Sequence, residues 1–238
     1  HTQSVCSLPQ ATLEHHERWI ALLTPLVKSY ISNQSWRISE LAIQVYGGHG
    51  YIKDNPVEQA ARDCKILSIW EGTNFLQSAD LVREKCAMGR PAPILEQAMS
   101  SIHDFLNTSN ALNLFPKEAQ HLELAINAIT SAHEAIGGYT KERQIEHIFF
   151  NSTRFLALLS ETIIAWLLLD GALIAQQKIT QEKNETTEKD MEQHTFLKGR
   201  ISSMQYFLNY ELPVTLAEAD IIRHAQPIVA DIDTNIFK

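Results

Sequence analysis

The chain has 238 residues, which is enough for one large domain or two small ones and for a substantial buried core. Its net charge of −8 and its lack of any lysine- and arginine-rich run exclude a general nucleic-acid-binding function. Nine glycines and eight prolines are few for this length, and they cluster near apparent element ends, which favours helices over many short strands.

The three cysteines are Cys6, Cys64 and Cys86. Their odd number, wide spacing and lack of a Cys-x-x-Cys pair indicate free thiols in a reducing compartment, and therefore a cytoplasmic protein. The N-terminus has no basic segment followed by an apolar core, so no signal peptide is predicted. Because the sequence opens on His1 and not on methionine, we expect a fragment or a processed product.

The first helix is predicted from Leu13 onward, where apolar residues recur at three- and four-residue spacing. Thr24 and Pro25 leave two alternatives open, an N-cap with proline in the first helical turn or a kink in one longer helix. The pattern ends at Gly47 and Gly48, because two glycines permit positive φ and stop a helix.

A short helix is predicted over residues 56–67. Asn55 is the expected N-cap, and Glu58 stands three residues later, where it can complete a capping box. After a connector, Thr73 or Asn74 is expected to cap the next helix, which glycine and proline end near residue 90.

Beyond that point the spacing predicts an amphipathic helix over residues 94–106 and a turn region over 107–116. The next helix is expected to stop at Gly137 and Gly138. A long helix is predicted over 141–179, a polar loop over 180–194 and a last long helix bent near Pro213, with a tail that lacks periodicity from Gln226.

Residues 155–175 are apolar and long enough to span a bilayer. The segment contains Glu161 and Asp170, and each charge would cost about 2.5–3.5 kcal/mol at a bilayer centre. We therefore interpret it as a core helix and predict no membrane span. The chain as a whole is predicted to be an all-α helical bundle, with one domain over residues 1–90 and a second long-helix bundle over 91–238.

Glu71 is the first candidate for chemistry, because it lies between Trp70 and Gly72 in a helical chain. A carboxylate in an apolar, water-poor pocket is a better base toward carbon acids, and Gly72 leaves the backbone open to a substrate carbonyl. The alternative is a glutamate near a helix end with no chemical role. The apolar neighbours that would form such a pocket are Ile66, Leu67, Ile69 and Trp70.

The segment Gly47-Gly48-x-Gly50 has two interpretations, a backbone that faces a phosphate or nucleotide and a simple helix stop. It matches neither the dinucleotide fingerprint nor the phosphate loop. The ten histidines show no His-Glu-x-x-His and no Cys/His spacing typical of zinc, so we predict no metal site.

Four motifs follow one another in residues 44–74: Gln44-Val45-Tyr46-Gly47-Gly48-His49-Gly50-Tyr51, Asn55-Pro56-Val57-Glu58, Arg62-Asp63-Cys64-Lys65-Ile66 and Trp70-Glu71-Gly72-Thr73-Asn74. Taken together, they resemble the C-terminal helical domain of the acyl-CoA dehydrogenases, without a gap over residues 22–85. From Pro91 onward the chain resembles, less specifically, the helical extension of the large bacterial members.

The resemblance implies an FAD-dependent homo-oligomer that removes a proton from Cα and a hydride from Cβ of an acyl-CoA thioester. Its electron acceptor would be an electron-transfer flavoprotein or a similar protein. Glu71 matches the catalytic base of the family, whose own N–H also polarises the thioester carbonyl.

The resemblance also implies the contacts of the cofactor and substrate. Gln44 and Gly48 match positions that meet the FAD of a neighbouring subunit, with Gly47 beside them, and Thr73 matches a further FAD contact. Trp70 stands where tyrosine is usual and would line the acyl pocket, next to Gly72. For Phe75 no flavin contact is carried over, because the position is often small or polar.

The family's N-terminal helical domain and β-domain do not fit in this chain. We therefore expect that the chain alone neither retains FAD nor oxidises acyl-CoA. An alternative of a different class is a non-catalytic helical module for oligomerisation or docking.

Overall fold

The computed structural model describes residues 9–181 and 188–226, and every regular element there is a helix. The predicted all-α fold is therefore confirmed. Residues 1–8, residues 227–238 of the predicted tail and part of the predicted polar loop lie outside the described residues, and α1 begins at Gln10, three residues before its predicted start. The α-helices, in chain order, are α1 Gln10–Tyr46, α2 Gly48–Tyr51, α3 Pro56–Lys65, α4 Asn74–Asp80, α5 Pro93–Thr108, α6 Ala111–Leu114, α7 Pro116–Lys141, α8 Ile145–Phe150, α9 Ser152–Gln181, α10 Glu188–Tyr206 and α11 Leu212–His224.

The described residues form two compact units. The first contains residues up to 87 together with 91–98, and the second contains 88–90 together with the residues from 99 onward. The first unit is built on α1, against which α2, α3 and α4 pack. The second is a bundle of α7, α9, α10 and α11 with the shorter helices at its ends.

Helix α1 runs without a break through Pro25, which excludes the alternative of an N-cap at Thr24. The Thr24 hydroxyl instead donates to the carbonyl of Ile20 one turn earlier, at 2.7 Å. Leu22 and Leu26 are buried on the face that meets the rest of the unit. Burial of this face holds one long helix together despite the hydrogen bond that proline removes.

The predicted capping box at Asn55 and Glu58 is wrong. The Asn55 amide donates to the carbonyl of His49 at 2.6 Å, and the Glu58 carboxylate accepts from Arg62 at 3.1 Å. Each side chain thus has a partner that competes with the helix N-terminus. Helix α3 itself lies where it was predicted and continues into a 3₁₀ turn, Ile66–Ser68.

The predicted helix stop at Gly137 and Gly138 is also wrong, because α7 continues through both residues to Lys141. A Cβ atom on Gly137 would lie 2.6 Å from the carbonyl oxygen of Gly89, whereas one on Gly138 would meet no atom within 4 Å. Gly137 is therefore needed for close backbone approach and not for a turn.

The helix predicted over residues 141–179 is divided in two. The N–H of Asn151 donates to carbonyls of α8, and Ser152 begins α9 with its hydroxyl bonded to Phe149 at 2.7 Å. The predicted turn region contains α6, and α10 begins inside the predicted polar loop. Just before Pro213, hydrogen bonding changes to a π-helical turn, Phe207–Glu211, since proline supplies no N–H.

Helix α9 is the one helix of the described chain that is long and apolar enough to cross a membrane by length and composition. It packs against α7, α10 and α11, and Phe155, Leu159 and Leu169 on it are fully buried. Its Glu161 accepts a hydrogen bond from the Thr215 hydroxyl at 2.8 Å. These contacts support the interpretation of α9 as a core helix.

Candidate functional site

The first candidate turn joins α1 to α2 and holds Gln44, Gly47 and Gly48, all of which are exposed. The Gly47 N–H donates to the Gln44 carbonyl at 3.1 Å, and the Gly47 carbonyl accepts from the Gly50 N–H at 3.0 Å. Gly47 has φ 59° and ψ −142°, a conformation open almost only to glycine. The sequence motif therefore does stop α1 here, as predicted.

The third glycine of this motif has a different task. Gly50 is buried, and a Cβ atom there would lie 2.7 Å from the carbonyl oxygen of Ile43. Gly50 thus lets α2 pack tightly against the end of α1, which fixes the turn that Gly47 and Gly48 expose.

The second candidate turn lies between the 3₁₀ turn and α4. The Trp70 N–H donates to the Ile66 carbonyl at 3.1 Å, after which the backbone turns at Glu71 with φ 51° and at Gly72 with φ 88°. The left-handed conformation costs a residue with a side chain about 1–2 kcal/mol. Glu71 therefore stands in a strained backbone at the tip of a short turn.

The start of α4 anchors this turn. The Thr73 hydroxyl accepts a hydrogen bond from the Leu76 N–H at 3.3 Å, which confirms Thr73 as the N-cap. The amide oxygen of Asn74 accepts instead from Lys28 and Ser32 of α1, at 3.1 and 3.0 Å. These bonds tie α4 to α1 directly beside the turn.

Gln77, one turn into α4, reaches back to the turn. Its side-chain N–H donates to the Glu71 carbonyl at 3.4 Å, and a Cβ atom on Gly72 would lie 2.8 Å from the same nitrogen. The glycine at this position is therefore favoured by its positive φ, and a side chain there would also require the end of the Gln77 side chain to move.

The apolar pocket expected around Glu71 is not formed by the described part of this chain. Glu71 is exposed, and its neighbours Ile66, Leu67, Ile69 and Trp70 are 49%, 37%, 55% and 52% exposed. A group of exposed apolar side chains of this kind is typical of a surface that binds another molecule.

Several polar groups of the two turns have no partner within residues 9–181 and 188–226. Within the described part of the chain, the backbone N–H groups of Glu71 and Gly72 donate no hydrogen bond, and neither does the side-chain amide of Gln44. The hydroxyl of Thr73 accepts one bond and has its proton free. The arrangement thus offers a carboxylate acceptor and several donors to a bound molecule.

The structure forms two separate groups of the predicted site residues. Among the described residues no hydrogen bond or ion pair joins one group to the other, and no cluster of three His, Cys, Asp or Glu side chains is suited to hold a metal. The groups are Gln44, Gly47 and Gly48 in the first turn, and Trp70, Glu71, Gly72 and Thr73 in the second.

Sequence reasoning missed the roles of Gln77 and Asn74. Gln77 lies outside the quoted motifs, and for Asn74, the last residue of one of them, the sequence indicates only an alternative N-cap. The signal that points to Gln77 is its position in the first turn of α4, four residues after the cap, from which a long amide reaches the preceding loop.

Two family models match the chain. The one described as "Acyl-CoA dehydrogenase, C-terminal domain" matches residues 10–85. The one described as "Acetyl-CoA dehydrogenase C-terminal like" matches residues 98–233, which is more than half of the chain. The predicted resemblance is therefore confirmed.

Curated proteins that are similar to this chain have names that agree with the family models. A butyryl-CoA dehydrogenase of Syntrophomonas wolfei is 30% identical over 233 residues, covering 95% of this chain and 36% of the relative. A broad-specificity linear acyl-CoA dehydrogenase of Mycobacterium tuberculosis is 24% identical over 221 residues, covering 91% and 35%. An acyl-CoA dehydrogenase of Bacillus subtilis is 44% identical over 52 residues, covering 22% and 14%.

This chain spans about a third of the length of the first two relatives. The family models and these relatives together show that the chain belongs to the acyl-CoA dehydrogenase family.

Proposed function

We propose that this chain is the C-terminal part of an FAD-dependent acyl-CoA dehydrogenase, with Glu71 as its catalytic base. The observation that carries the proposal is the turn at Glu71, where a carboxylate and the N–H of the same residue are both free within the described residues. An α-proton acceptor and a donor to the thioester carbonyl are what α,β-dehydrogenation requires from one wall of a site.

In this proposal the Glu71 carboxylate accepts the proton from Cα of the acyl-CoA. The N–H of Glu71 donates to the thioester oxygen and stabilises the negative charge that develops there. Gly72, with no side chain, leaves room for that oxygen to approach the backbone. FAD, when bound, would supply the acceptor for the hydride from Cβ, and the products would be an enoyl-CoA, a proton on Glu71 and reduced flavin.

We assign four residues to FAD: Gln44, Gly47, Gly48 and Thr73. The fit is supported by the open surface at Gly48, where a Cβ atom would meet nothing within 4 Å, and by the free amide of Gln44. The free hydroxyl proton of Thr73 is a further donor to an acceptor-rich cofactor. In the family resemblance, Gln44 and Gly48 meet the cofactor of a neighbouring subunit, with Gly47 beside them, so the protein is proposed to be a homo-oligomer.

The exposure of the apolar side chains around Trp70 supports the proposal that the chain alone is inactive. A base in water lacks the desolvation that favours proton abstraction from carbon, and the acyl chain would have only one apolar wall. We expect the isolated chain to be colourless when purified and to reduce no electron acceptor with butyryl-CoA. A yellow sample with that activity would contradict this part of the proposal.

The proposal also includes the cellular location of the protein and the partner that reoxidises its flavin. Cys64 and Cys86 form no disulfide bond within the described residues, and burial raises the pKa of Cys86 to about 12, so this thiol stays protonated and unreactive at neutral pH. Free thiols suit a reducing cytoplasm. An electron-transfer flavoprotein or a similar acceptor would reoxidise the flavin.

The test compares Glu71→Gln with Glu58→Gln in the FAD-containing holoenzyme that includes this chain. Glu58 is the matched control, because it lies in the same unit and pairs with Arg62 away from the turn. We expect Glu71→Gln to keep its flavin and to lose dehydrogenation by about 100- to 10,000-fold, while Glu58→Gln stays active. Flavin reduction by butyryl-CoA measures this, and an active Glu71→Gln enzyme would refute the assignment.

A docking or oligomerisation module is the second candidate function, favoured by one observation on α1. Six apolar side chains recur along this helix and are at least half exposed. Light scattering on the isolated chain tests it, since a strict monomer at high concentration would argue against this role. The side chains are Ile20, Val27, Ile31, Ile38, Leu41 and Val45.

A further inference from the structure

We propose that Gln77 is a positioning residue that holds the Glu71–Gly72 turn in the conformation needed for proton abstraction. This inference rests on the proposed role of Glu71 as the base, and it adds a residue from outside the motif. Gln77 would touch neither substrate nor flavin and would act through the backbone of Glu71.

The first step of the argument is the geometry of the contact. The Gln77 amide N–H donates to the Glu71 carbonyl at 3.4 Å, and the same nitrogen lies 2.8 Å from the position that a Cβ atom of residue 72 would take. Both residues of the turn have positive φ, 51° and 88°. The glutamine thus both binds the turn and fills the space above it.

The second step is that no other hydrogen bond of the described residues reaches Glu71 or Gly72. Before the turn, the last backbone hydrogen bond is from Trp70 to Ile66, and after it the next is from Gln77 to Thr73. Between them, within the described parts of the chain, the Gln77 side chain provides the hydrogen bond that reaches Glu71. A left-handed residue with a side chain relaxes toward ordinary φ unless its surroundings hold it.

The third step is that Gln77 is itself held in place. It lies in the first turn of α4, whose start is bonded to α1 through Asn74 and whose Ser78 is buried. The restraint on Glu71 therefore begins at a helix that is packed against the core of the unit. A rigid support of this kind is what a catalytic carboxylate needs to stay aligned with Cα.

The experiment replaces Gln77 by methionine, which keeps the length and packing of the side chain and removes the donor. Gln97→Met is the matched control, because Gln97 is also half-buried in the first unit and donates to a backbone carbonyl, that of His15, at 3.0 Å. Gln77→Glu is a second variant of the same shape that also cannot donate. Thermal unfolding of each variant identifies any that fails to fold.

The first measurement needs no flavin. In the purified chain, ¹⁵N relaxation is expected to lower the order parameter of the Gly72 amide from about 0.85 to below about 0.6 in Gln77→Met. Gln97→Met leaves it unchanged. An order parameter that is equal in both variants would overturn the inference.

The second measurement uses the holoenzyme and butyryl-CoA with and without deuterium at Cα. For Gln77→Met we expect kcat to fall about 10- to 100-fold with KM little changed, and the isotope effect on flavin reduction to rise because proton abstraction becomes slower. Glu71→Gln is measured in parallel. If that variant is inactive while Gln77→Met equals Gln97→Met, the positioning role is refuted; if Glu71→Gln is active, the proposed function fails.

Discussion

Two glycine pairs, Gly47-Gly48 and Gly137-Gly138, look alike in the sequence and behave differently in the structure. Each follows a long amphipathic helix, and each was expected to end it. Gly47 does so, with φ 59° and ψ −142°. Gly137 lies inside α7, which continues for another four residues to Lys141.

The difference shows that glycine serves two separate needs. At Gly47 the need is conformational and local, because the turn requires a backbone that other residues avoid. At Gly137 the need is steric and distant in sequence, because the backbone at Gly89 approaches so closely that no Cβ fits. Substitutions at each member of the two pairs separate these needs.

The largest effect is expected for Gly137→Val. Its side chain would meet the carbonyl oxygen of Gly89, with the Cβ atom only 2.6 Å away, and should lower the free energy of unfolding by about 3 kcal/mol. Gly138→Val is the control, since its Cβ meets nothing within 4 Å, and should change stability by less than about 0.5 kcal/mol. Urea unfolding measures both, and equal values would mean that the two backbones do not touch.

A smaller loss is expected for Gly47→Ala. Alanine fits the open space at this position, but it must adopt a backbone conformation that costs roughly 1–3 kcal/mol. Gly48→Ala has neither a positive φ nor a steric contact, so its stability should stay within about 0.5 kcal/mol of the parent. If Gly48→Ala were the more destabilising of the two, Gly47 would not be the residue whose conformation ends α1.

The smallest expected effect is a pH dependence of stability, which arises from a histidine that packs against the residue after Gly138. Tyr139, which follows Gly138, packs the edge of its ring against the buried His147, and burial lowers the pKa of His147 below its ordinary 6.5. The folded chain then binds this proton less readily than the unfolded chain, so stability is full above pH 6.5 and falls as the pH decreases below that value.

In His147→Leu, the free energy of unfolding should therefore decrease less than in the parent chain as the pH falls from about 6.5 to about 5. The control is His49→Leu at the first pair, since His49 follows Gly48 and is exposed. Urea unfolding at several pH values measures the slope. The same slope in His147→Leu and in the parent chain would assign the acid sensitivity to other groups.

The parts of the candidate site that depend on neighbouring residues could be predicted from the sequence. The pairing of Glu71 with Gly72, the stop at Gly47 and the cap at Thr73 are local features, and sequence patterns describe local features well. The cap expected at Asn55 failed because a carbonyl six residues earlier in the chain, that of His49, competes for its side chain. The role of Gln77 was invisible because it depends on how α4 is oriented relative to the turn.

The sequence by itself determined the all-α class and most helices, because helical periodicity is a property of neighbouring residues. The resemblance of its motifs to a known family indicated the family and is the source of the proposal that Glu71 is the base. Only the tertiary structure decided that α1 runs through Pro25 and that α7 runs through its glycines, since burial and close packing outweigh local helix-breaking tendencies. It also decided that Glu71 stands exposed, because burial depends on which surfaces meet and no single stretch of residues encodes that.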